Sequence, residues 1–324
     1  MAVIHVGIKL GRRSLRNVLV DEDGRIIFNH ETPSFSERGS EVAIATMVKT
    51  VRDMAAVAGV DYDDIGAIGV GVPGPLNTKA GMIFGPPNMN GWERVPLGPR
   101  MSVMTGKPVY IENDAKAAGW AEYIYGAGRG CRNMVAIYHG SGLGGAIIMD
   151  GKLFTGKDGM AGEIGHIPIS RKGRLCSCGN RGCVEAYVSP TAMVASFRKM
   201  AGKGWRSSLV GRGEAITDAD LFAAARVGDP LALHIVEKTG RSLGVLAAII
   251  MNFLNPERIV VSGSVMRFGS EFIEAMRREC HIRRFGPNIS VDIVPAVLGG
   301  EASALGAAHI AVERAKNDAV AAAR

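Results

Sequence analysis

Apolar residues follow two rhythms along this chain, short runs rich in Val and Ile and longer stretches at helical spacing, and the two alternate. The chain opens on Ile4-His5-Val6-Gly7-Ile8, turns at Gly11, continues with Val18-Leu19-Val20 and turns again at Asp23-Gly24. The same order returns with Met134-Val135-Ala136-Ile137, Gly140-Ser141-Gly142, Ala146-Ile147-Ile148 and Asp150-Gly151. An internal echo of this kind marks a repeated supersecondary unit. Each echo opens a stretch in which strands alternate with helical patterns, so two related lobes of layered α/β structure are expected.

In the first lobe Val42, Ile44, Met47, Val48, Val51 and Met54 recur at helical spacing, and Ile68-Gly69-Val70-Gly71-Val72 reads as a buried strand ended by Pro73-Gly74-Pro75. Val109-Tyr110-Ile111 predicts another strand, with Glu112-Asn113-Asp114 at its carboxyl end and a helix from Ala115. In the second lobe Ser189-Pro190 and Asp229-Pro230 each put a capping side chain before a first-turn proline. The second of these starts a long apolar helix to about Leu254, stopped by Asn255-Pro256 and followed by the strand Ile259-Val260-Val261. A last helix over 302–316 is expected to pack back on the first lobe, leaving 317–324 frayed. The domain reading is thus 1–118 joined by 302–316, then 119–301, with no linker between them.

Composition narrows the class. A chain of 324 residues exceeds what one hydrophobic core usually supports, and 47% apolar with 21% charged residues is globular. The amino terminus lacks the tripartite pattern of an export signal. The longest apolar run, 244–254, falls short of the roughly 20 residues that cross a bilayer, so a cytoplasmic protein with no membrane partner is expected. A net charge of +7 invites a polyanionic partner, but the basic residues sit in small scattered groups and no nucleic acid is expected.

Of five cysteines, three lie within eight positions, which is no disulfide framework. Cys131 and Cys280 stand apart and read as small buried hydrophobes. Cys176, Cys178 and Cys183 share one loop with Gly179 and Gly182, which let the backbone fold three thiolates toward a point, and His166 lies ten residues upstream. Zinc favours four sulfur and nitrogen ligands in a closed tetrahedron, so this set predicts a structural Zn2+ with no open position for water.

Asp114 follows a strand end, where open α/β sheets place their ligands. A carboxylate there can accept a hydroxyl proton during phosphoryl transfer, with Asn113 holding neighbouring hydroxyls. The pair reads equally well as the cap of the helix that begins at Ala115. Glu163 and Glu185 flank the cysteine loop, either as acceptors for a polyhydroxylated ligand or as solvated surface glutamates.

These residues fall into blocks: Gly71-Val72-Pro73-Gly74-Pro75, Glu112-Asn113-Asp114, Gly140-Ser141-Gly142-Leu143-Gly144-Gly145, Gly162-Glu163-Ile164-Gly165-His166 and Cys176-Ser177-Cys178-Gly179-Asn180-Arg181-Gly182-Cys183-Val184-Glu185. The chain resembles the ROK family of bacterial sugar kinases and sugar-responsive repressors. The resemblance implies an α/β fold, an actin-like, hexokinase-like pair of ribonuclease-H-type lobes with ATP and sugar meeting in a cleft between them. It implies Asp114 as general base and Asn88, Asn113, Asp114, Glu163, His166 and Glu185 as sugar ligands, with His166 also on zinc. It puts the donor, ATP with Mg2+, on Gly11, Arg12, Arg13, Gly140, Ser141, Gly142, Gly263, Gly299 and Gly300, and it implies a homodimer or homotetramer. The implied activity is an ATP-dependent sugar kinase acting on glucose or a related hexose, amino sugar or cyclitol.

One block departs from the family pattern. The first phosphate loop of the family reads Asp-x-Gly-Gly-Thr-Lys, and here the aligned residues are Lys9-Leu10-Gly11-Arg12-Arg13-Ser14. A cation in place of a metal-associated carboxylate repels Mg2+, yet Lys9, Arg12 and Arg13 can pair directly with phosphate oxygens. The departure therefore leaves open a kinase with a modified donor site, a degenerate relative that binds sugar as a sensor or regulator, or cations that simply point to solvent from a strand end.

Overall fold

The structure, a computed structural model, describes residues 3–86, 89–212, 215–287 and 289–322. Its strands and helices divide between two compact units, Met1–Arg129 with Leu153–Ala161 and Val297–Arg324, and Gly130–Lys152 with Gly162–Ala296. The sequence boundary at 118 falls inside a helix of the first unit.

The first unit contains β1 (Ile4–Leu10), β2 (Ser14–Val20), β3 (Ile26–Pro33), α1 (Ser40–Ala58), β4 (Ile65–Val72), the short β5 (Leu76–Asn77) and β6 (Met82–Ile83), α2 (Leu97–Thr105), β7 (Val109–Asn113) and α3 (Asp114–Tyr125). The second contains β8 (Met134–His139), β9 (Leu143–Met149), α4 (Glu185–Val188), α5 (Pro190–Ala201), α6 (Asp218–Arg226), α7 (Pro230–Leu254), β11 (Arg258–Gly263), α8 (Ser270–Ile282) and β12 (Asp292–Pro295), with β10 (Lys152–Leu153) at its edge. The last helix, α9 (Ala302–Ala322), belongs to the first unit.

The echo in the sequence is an echo in topology. The first sheet has the order β3-β2-β1-β4-β7 and the second β10-β9-β8-β11-β12. In the first, three antiparallel strands (β3-β2-β1) are extended by the parallel β4 and β7; in the second, the antiparallel pair β9-β8, with β10 beside β9, is extended by the parallel β11 and β12. Both hairpins follow from alternating apolar strands joined at the glycine turns, and the parallel additions require the intervening helices as crossovers.

In β1, Ile4, Val6, Ile8 and Leu10 face a core shared with Ile44, Met47, Val51 and Met54 of α1. Val42, which fits the helical spacing, is exposed because it lies outside that stripe. The other face of the sheet meets α9 almost backbone to backbone. A Cβ on Gly7 would lie 2.0 Å from the Ala304 carbonyl oxygen, one on Gly69 would lie 1.9 Å from that of Ala307, and one on Gly306 would lie 1.8 Å from that of Ala117 in α3. Glycine and alanine thus let helix and sheet approach at a distance that larger side chains forbid. α9 continues to Ala322, beyond the expected stop at 316 and through most of the stretch expected to fray.

In the second unit α7 and α8 use the same device, with Gly240 and Gly244 facing the backbone of Phe272 and Met276. Both expected proline starts are present: the Ser189 hydroxyl accepts from the Ala192 N–H, and the Asp229 carboxylate from the Ala232 N–H. Asn255 ends α7 in the left-handed conformation, as a helix stop of this type requires. Cys280 is buried, as expected, whereas Cys131 is half-buried because it sits in the loop before β8. Among the described residues no helix is long and apolar enough to cross a membrane.

Gly69→Ala tests the backbone contact. Its added methyl meets a carbonyl oxygen that cannot move without displacing α9, so the substitution is expected to lower unfolding free energy by about 3 kcal/mol, at the upper end of overpacking costs, measured by chemical denaturation.

Candidate active site and metal centre

In the first unit the parallel strands β1, β4 and β7 end together, and α3 begins there. Asn113 is the N-cap: its Oδ1 accepts from the N–H groups of Ala115 and Lys116 at 3.0 and 3.1 Å. Capping is therefore the work of Asn113, whose amide Nδ2 keeps its donors, and Asp114 occupies the first helical turn. Asp114 keeps partial exposure as a residue while its carboxyl group is crowded by protein. Loss of water pushes its pKa above the ordinary aspartate range, and Lys9 and the Ala115 N–H pull it back toward ionisation.

The neighbouring carboxylate, Glu112, is 1% exposed and otherwise engaged. One oxygen accepts the Asn113 N–H at 3.0 Å and the other pairs with Arg314 of α9, which also donates to the Ile111 carbonyl at 2.9 Å. Glu112 thus fixes the strand end on which Asp114 sits.

The β1–β2 turn is held from within. The Gly11 N–H donates to the Ser14 carbonyl at 2.9 Å, and the Arg12 carbonyl accepts from the hydroxyls of Ser34 and Ser36 at 3.0 and 2.7 Å. The side chains of Arg12 and Arg13 are exposed. Gly299 and Gly300 open α9 through a short 3-10 turn, and the Arg16 guanidinium packs on Gly300 where a side chain would otherwise stand. Lys9 at the end of β1 and Arg12 and Arg13 on the turn make this segment itself cationic, so it offers Mg2+ none of the carboxylate oxygens that the ion takes and does not fit it.

In the second unit the ligand atoms of His166, Cys176, Cys178 and Cys183 all lie within 4.8 Å of one another. Cys178 Sγ is 3.7 Å from Cys183 Sγ, and Cys176 Sγ is 3.8 Å from His166 Nδ1. A tetrahedral zinc with bonds of about 2.3 Å to sulfur and about 2.0 Å to nitrogen puts its ligands at nearly these separations. The residues therefore fit Zn2+ as a closed structural site. The loop carrying them is tied by Cys176 N–H to Asn180 O at 2.8 Å and by an isolated bridge between Pro168 and Cys183. Burial and the adjacent thiols push Cys183 up to about 12, whereas the Asn180 N–H holds Cys178 below the usual thiol range. A divalent cation reverses the repulsion that keeps clustered thiols protonated.

Glu185 joins this loop to the β8–β9 turn. Its Oε2 accepts the Leu143 N–H at 2.8 Å, and its Oε1 accepts from Ser177 Oγ at 3.3 Å. Gly142 makes the approach possible, since a Cβ there would lie 2.3 Å from Glu185 Oε2. In the turn itself the Gly140 N–H donates to the Gly142 carbonyl at 3.0 Å, and Ser141 is exposed. Glu163 caps the 3-10 turn Ile164–His166 through its backbone position and is half-buried. Gly263 ends β11 against the His139 carbonyl.

The structure thus gathers Asp114, Asn113, Lys9, Gly11 and Gly299–Gly300 in the first unit, and Glu163, His166, Glu185, the cysteines, the Gly140 turn and Gly263 in the second. Asn88 lies outside the described residues.

Two structural groups carry no local sequence signal. Glu122, 1% exposed in α3, accepts the N–H groups of Ala127, Val297 and Leu298 at 2.9, 3.1 and 2.8 Å, and so holds the segment before Gly299. Lys116, 2% exposed, donates to the Gly159 carbonyl. Their partners come from distant sequence, which spacing cannot reveal.

The model of the ROK family matches residues 5–314. A glucokinase of Thermotoga maritima is 34% identical over 315 residues, covering 95% of this chain and 97% of that protein. The crystal structure of a ROK family glucokinase from Streptomyces griseus, in complex with glucose and AMPPNP, superposes with a TM-score of 0.82 at 31% identity and covers 96% of this chain and 99% of that one. A xylose repressor of Bacillus subtilis is 28% identical over 312 residues, covering 95% of this chain and 77% of the repressor. The chain belongs to the ROK family and has its actin-like, hexokinase-like α/β fold, built here from two units of matching strand order.

Proposed function

We propose that the protein is a sugar kinase that transfers the terminal phosphoryl group of ATP to a hydroxyl of glucose or a related hexose, amino sugar or cyclitol. The observation that carries this reading is the crowded, desolvated Asp114 carboxylate at the end of β7. The glucokinase similarity over nearly the whole chain supports it.

In this reading the acceptor hydroxyl gives its proton to an Asp114 carboxylate oxygen while its own oxygen forms the new bond to the terminal phosphorus. The bond from that phosphorus to the bridging oxygen breaks, and ADP leaves with the electron pair. Asn88, Asn113, Glu163, His166 and Glu185 bind the remaining hydroxyls. Gly140, Ser141, Gly142, Gly263, Gly299 and Gly300, with Gly11, Arg12 and Arg13, hold the nucleotide, the two arginines meeting phosphate charge directly. Zinc, when bound, supplies rigidity and no reactive water. His166 would hold the metal through Nδ1, the nitrogen 3.8 Å from Cys176 Sγ, and would meet the sugar through its other nitrogen, while Glu185 is aimed by its bonds to Leu143 and Ser177. Assembly as a homodimer or homotetramer belongs to the same reading.

A second reading, sugar binding without transfer, is favoured by Lys9 and by the repressor relative. Calorimetry separates the two: sugar binding with no nucleotide binding supports the sensor, and ATP binding with turnover over a sugar panel supports the kinase.

Asp114→Asn is expected to lower kcat/KM for sugar phosphorylation about a thousandfold, within the usual range for loss of a general base, while calorimetric sugar affinity is retained. Turnover at the wild-type rate would remove Asp114 from the base role.

Metal analysis is expected to find about one zinc per chain. Stripping it should weaken sugar binding about tenfold, the effect of misplaced supporting groups around a metal, because Glu185 loses the loop that orients it. Equal sugar affinity in verified metal-free protein would break the link between the two.

A further inference from the structure

Successive residues of a strand point to opposite faces. Ile8 and Leu10 enter the core shared with α1, so Lys9 leaves β1 on the face where Gly7 and Gly69 meet α9. Its neighbour in the parallel ladder is Gly71, and the neighbour of Gly71 is Glu112, two residues before Asp114. A long side chain at position 71 would stand between Lys9 and Asp114, and there is none. A Cβ on Gly71 would lie 3.6 Å from Asp114 Cα and 2.8 Å from Ser303 Oγ. Ser303, 2% exposed on the first turn of α9, has a hydroxyl without a hydrogen-bond partner packed close over Gly71. Lys9, Asp114 and Ser303 are therefore neighbours of the bare Gly71 backbone within the first unit.

We infer that Lys9 is a positioning residue for Asp114, its ammonium acting across Gly71 to hold the carboxyl group ionised and oriented at the end of β7. The inference deepens the kinase reading and rests on it for its catalytic consequence.

The other charges near Asp114 are committed elsewhere. On β7, Glu112 is bound to Arg314 and to the Asn113 N–H; on α3, Lys116 donates to the Gly159 carbonyl; α9 presents the neutral Ser303 and the already paired Arg314. Burial favours the protonated acid at Asp114, and the field of Lys9 is the largest influence opposing it. A base must be ionised to accept a proton, so Lys9 extends the activity of Asp114 to lower pH. The same ammonium occupies the neighbourhood that a divalent cation would need, which accounts for the misfit of Mg2+ at this turn.

The test compares Lys9→Met, Lys9→Gln and Lys9→Arg with the wild-type chain. The first readout is infrared difference titration of the Asp114 carboxyl band, assigned by its loss in Asp114→Asn, which needs neither sugar nor nucleotide. The band is expected to titrate at higher pH in Lys9→Met and Lys9→Gln and at the wild-type pH in Lys9→Arg. The second readout is the pH profile of sugar phosphorylation. Removing the cation that most opposes protonation of Asp114 is expected to lower the ratio of kcat/KM at pH 6 to that at pH 8 about tenfold, with Lys9→Arg restoring it. An Asp114 band that titrates at the wild-type pH in both neutral variants overturns the inference; should Lys9→Met not fold, Lys9→Gln decides. A displaced band in a chain whose wild type phosphorylates no sugar leaves the inference standing and sinks the kinase reading.

Discussion

The close approach of α9 to the first sheet is the constraint on which the candidate site depends. Gly7, Gly69 and Gly306 leave no side chain between the helix, the strands and α3, so the three elements are positioned by backbone contact. The start of α9, with Ser303, is thereby pressed against the end of β4, and Gly71 continues the same bare face to the start of α3. Arg314 on α9 then reaches Glu112 and the Ile111 carbonyl, and Glu122 on α3 collects the N–H groups that lead into Gly299. A buried carboxylate that loses such partners is costly, so each of these bonds restricts how far the strand ends can drift.

The fold was legible where local physics decides it. Ser189 and Asp229 before prolines, Asn255 at a helix end and the repeated glycine-turn hairpins all appear where the pattern places them. Asn113-Asp114 was ambiguous in sequence because such residues serve a ligand site and a helix cap equally well, and the coordinates show that Asn113 alone is the cap. The length of α9 was misjudged because its last turns carry polar and alanine residues without an apolar stripe, although alanine is a strong helix former. Glu122, Lys116 and the pairing of Glu112 with Arg314 were invisible for another reason: each acquires its meaning from a partner far along the chain.

The metal loop was legible because zinc needs a few specific atoms at fixed separations, and such a need leaves its mark in spacing. The structure adds what spacing cannot give, a path from that loop to the β8–β9 turn. Cys176 and Ser177 lie beside one oxygen of Glu185, and Leu143 holds the other. A carboxylate gripped at both oxygens loses little further freedom when a ligand hydroxyl arrives, so a structural metal can influence affinity without touching the ligand.

Charge at the first turn remains the decisive departure. Exchanging an acid for Lys9 alters the local charge by two units, and at an effective dielectric of about 20 each unit acts on another charge 4 Å away with about 4 kcal/mol. An exchangeable divalent ion would meet that energy as repulsion, whereas phosphate oxygens would meet it as attraction. Asp114, desolvated at the end of β7, meets it as a field that opposes the protonation its burial favours. A cation carried on β1 is present whether or not a ligand is bound, so its field on Asp114 is a fixed feature of the fold. In the proposed kinase reading the phosphate charge is left to Arg12 and Arg13, exposed on a turn whose Arg12 carbonyl is pinned by Ser34 and Ser36.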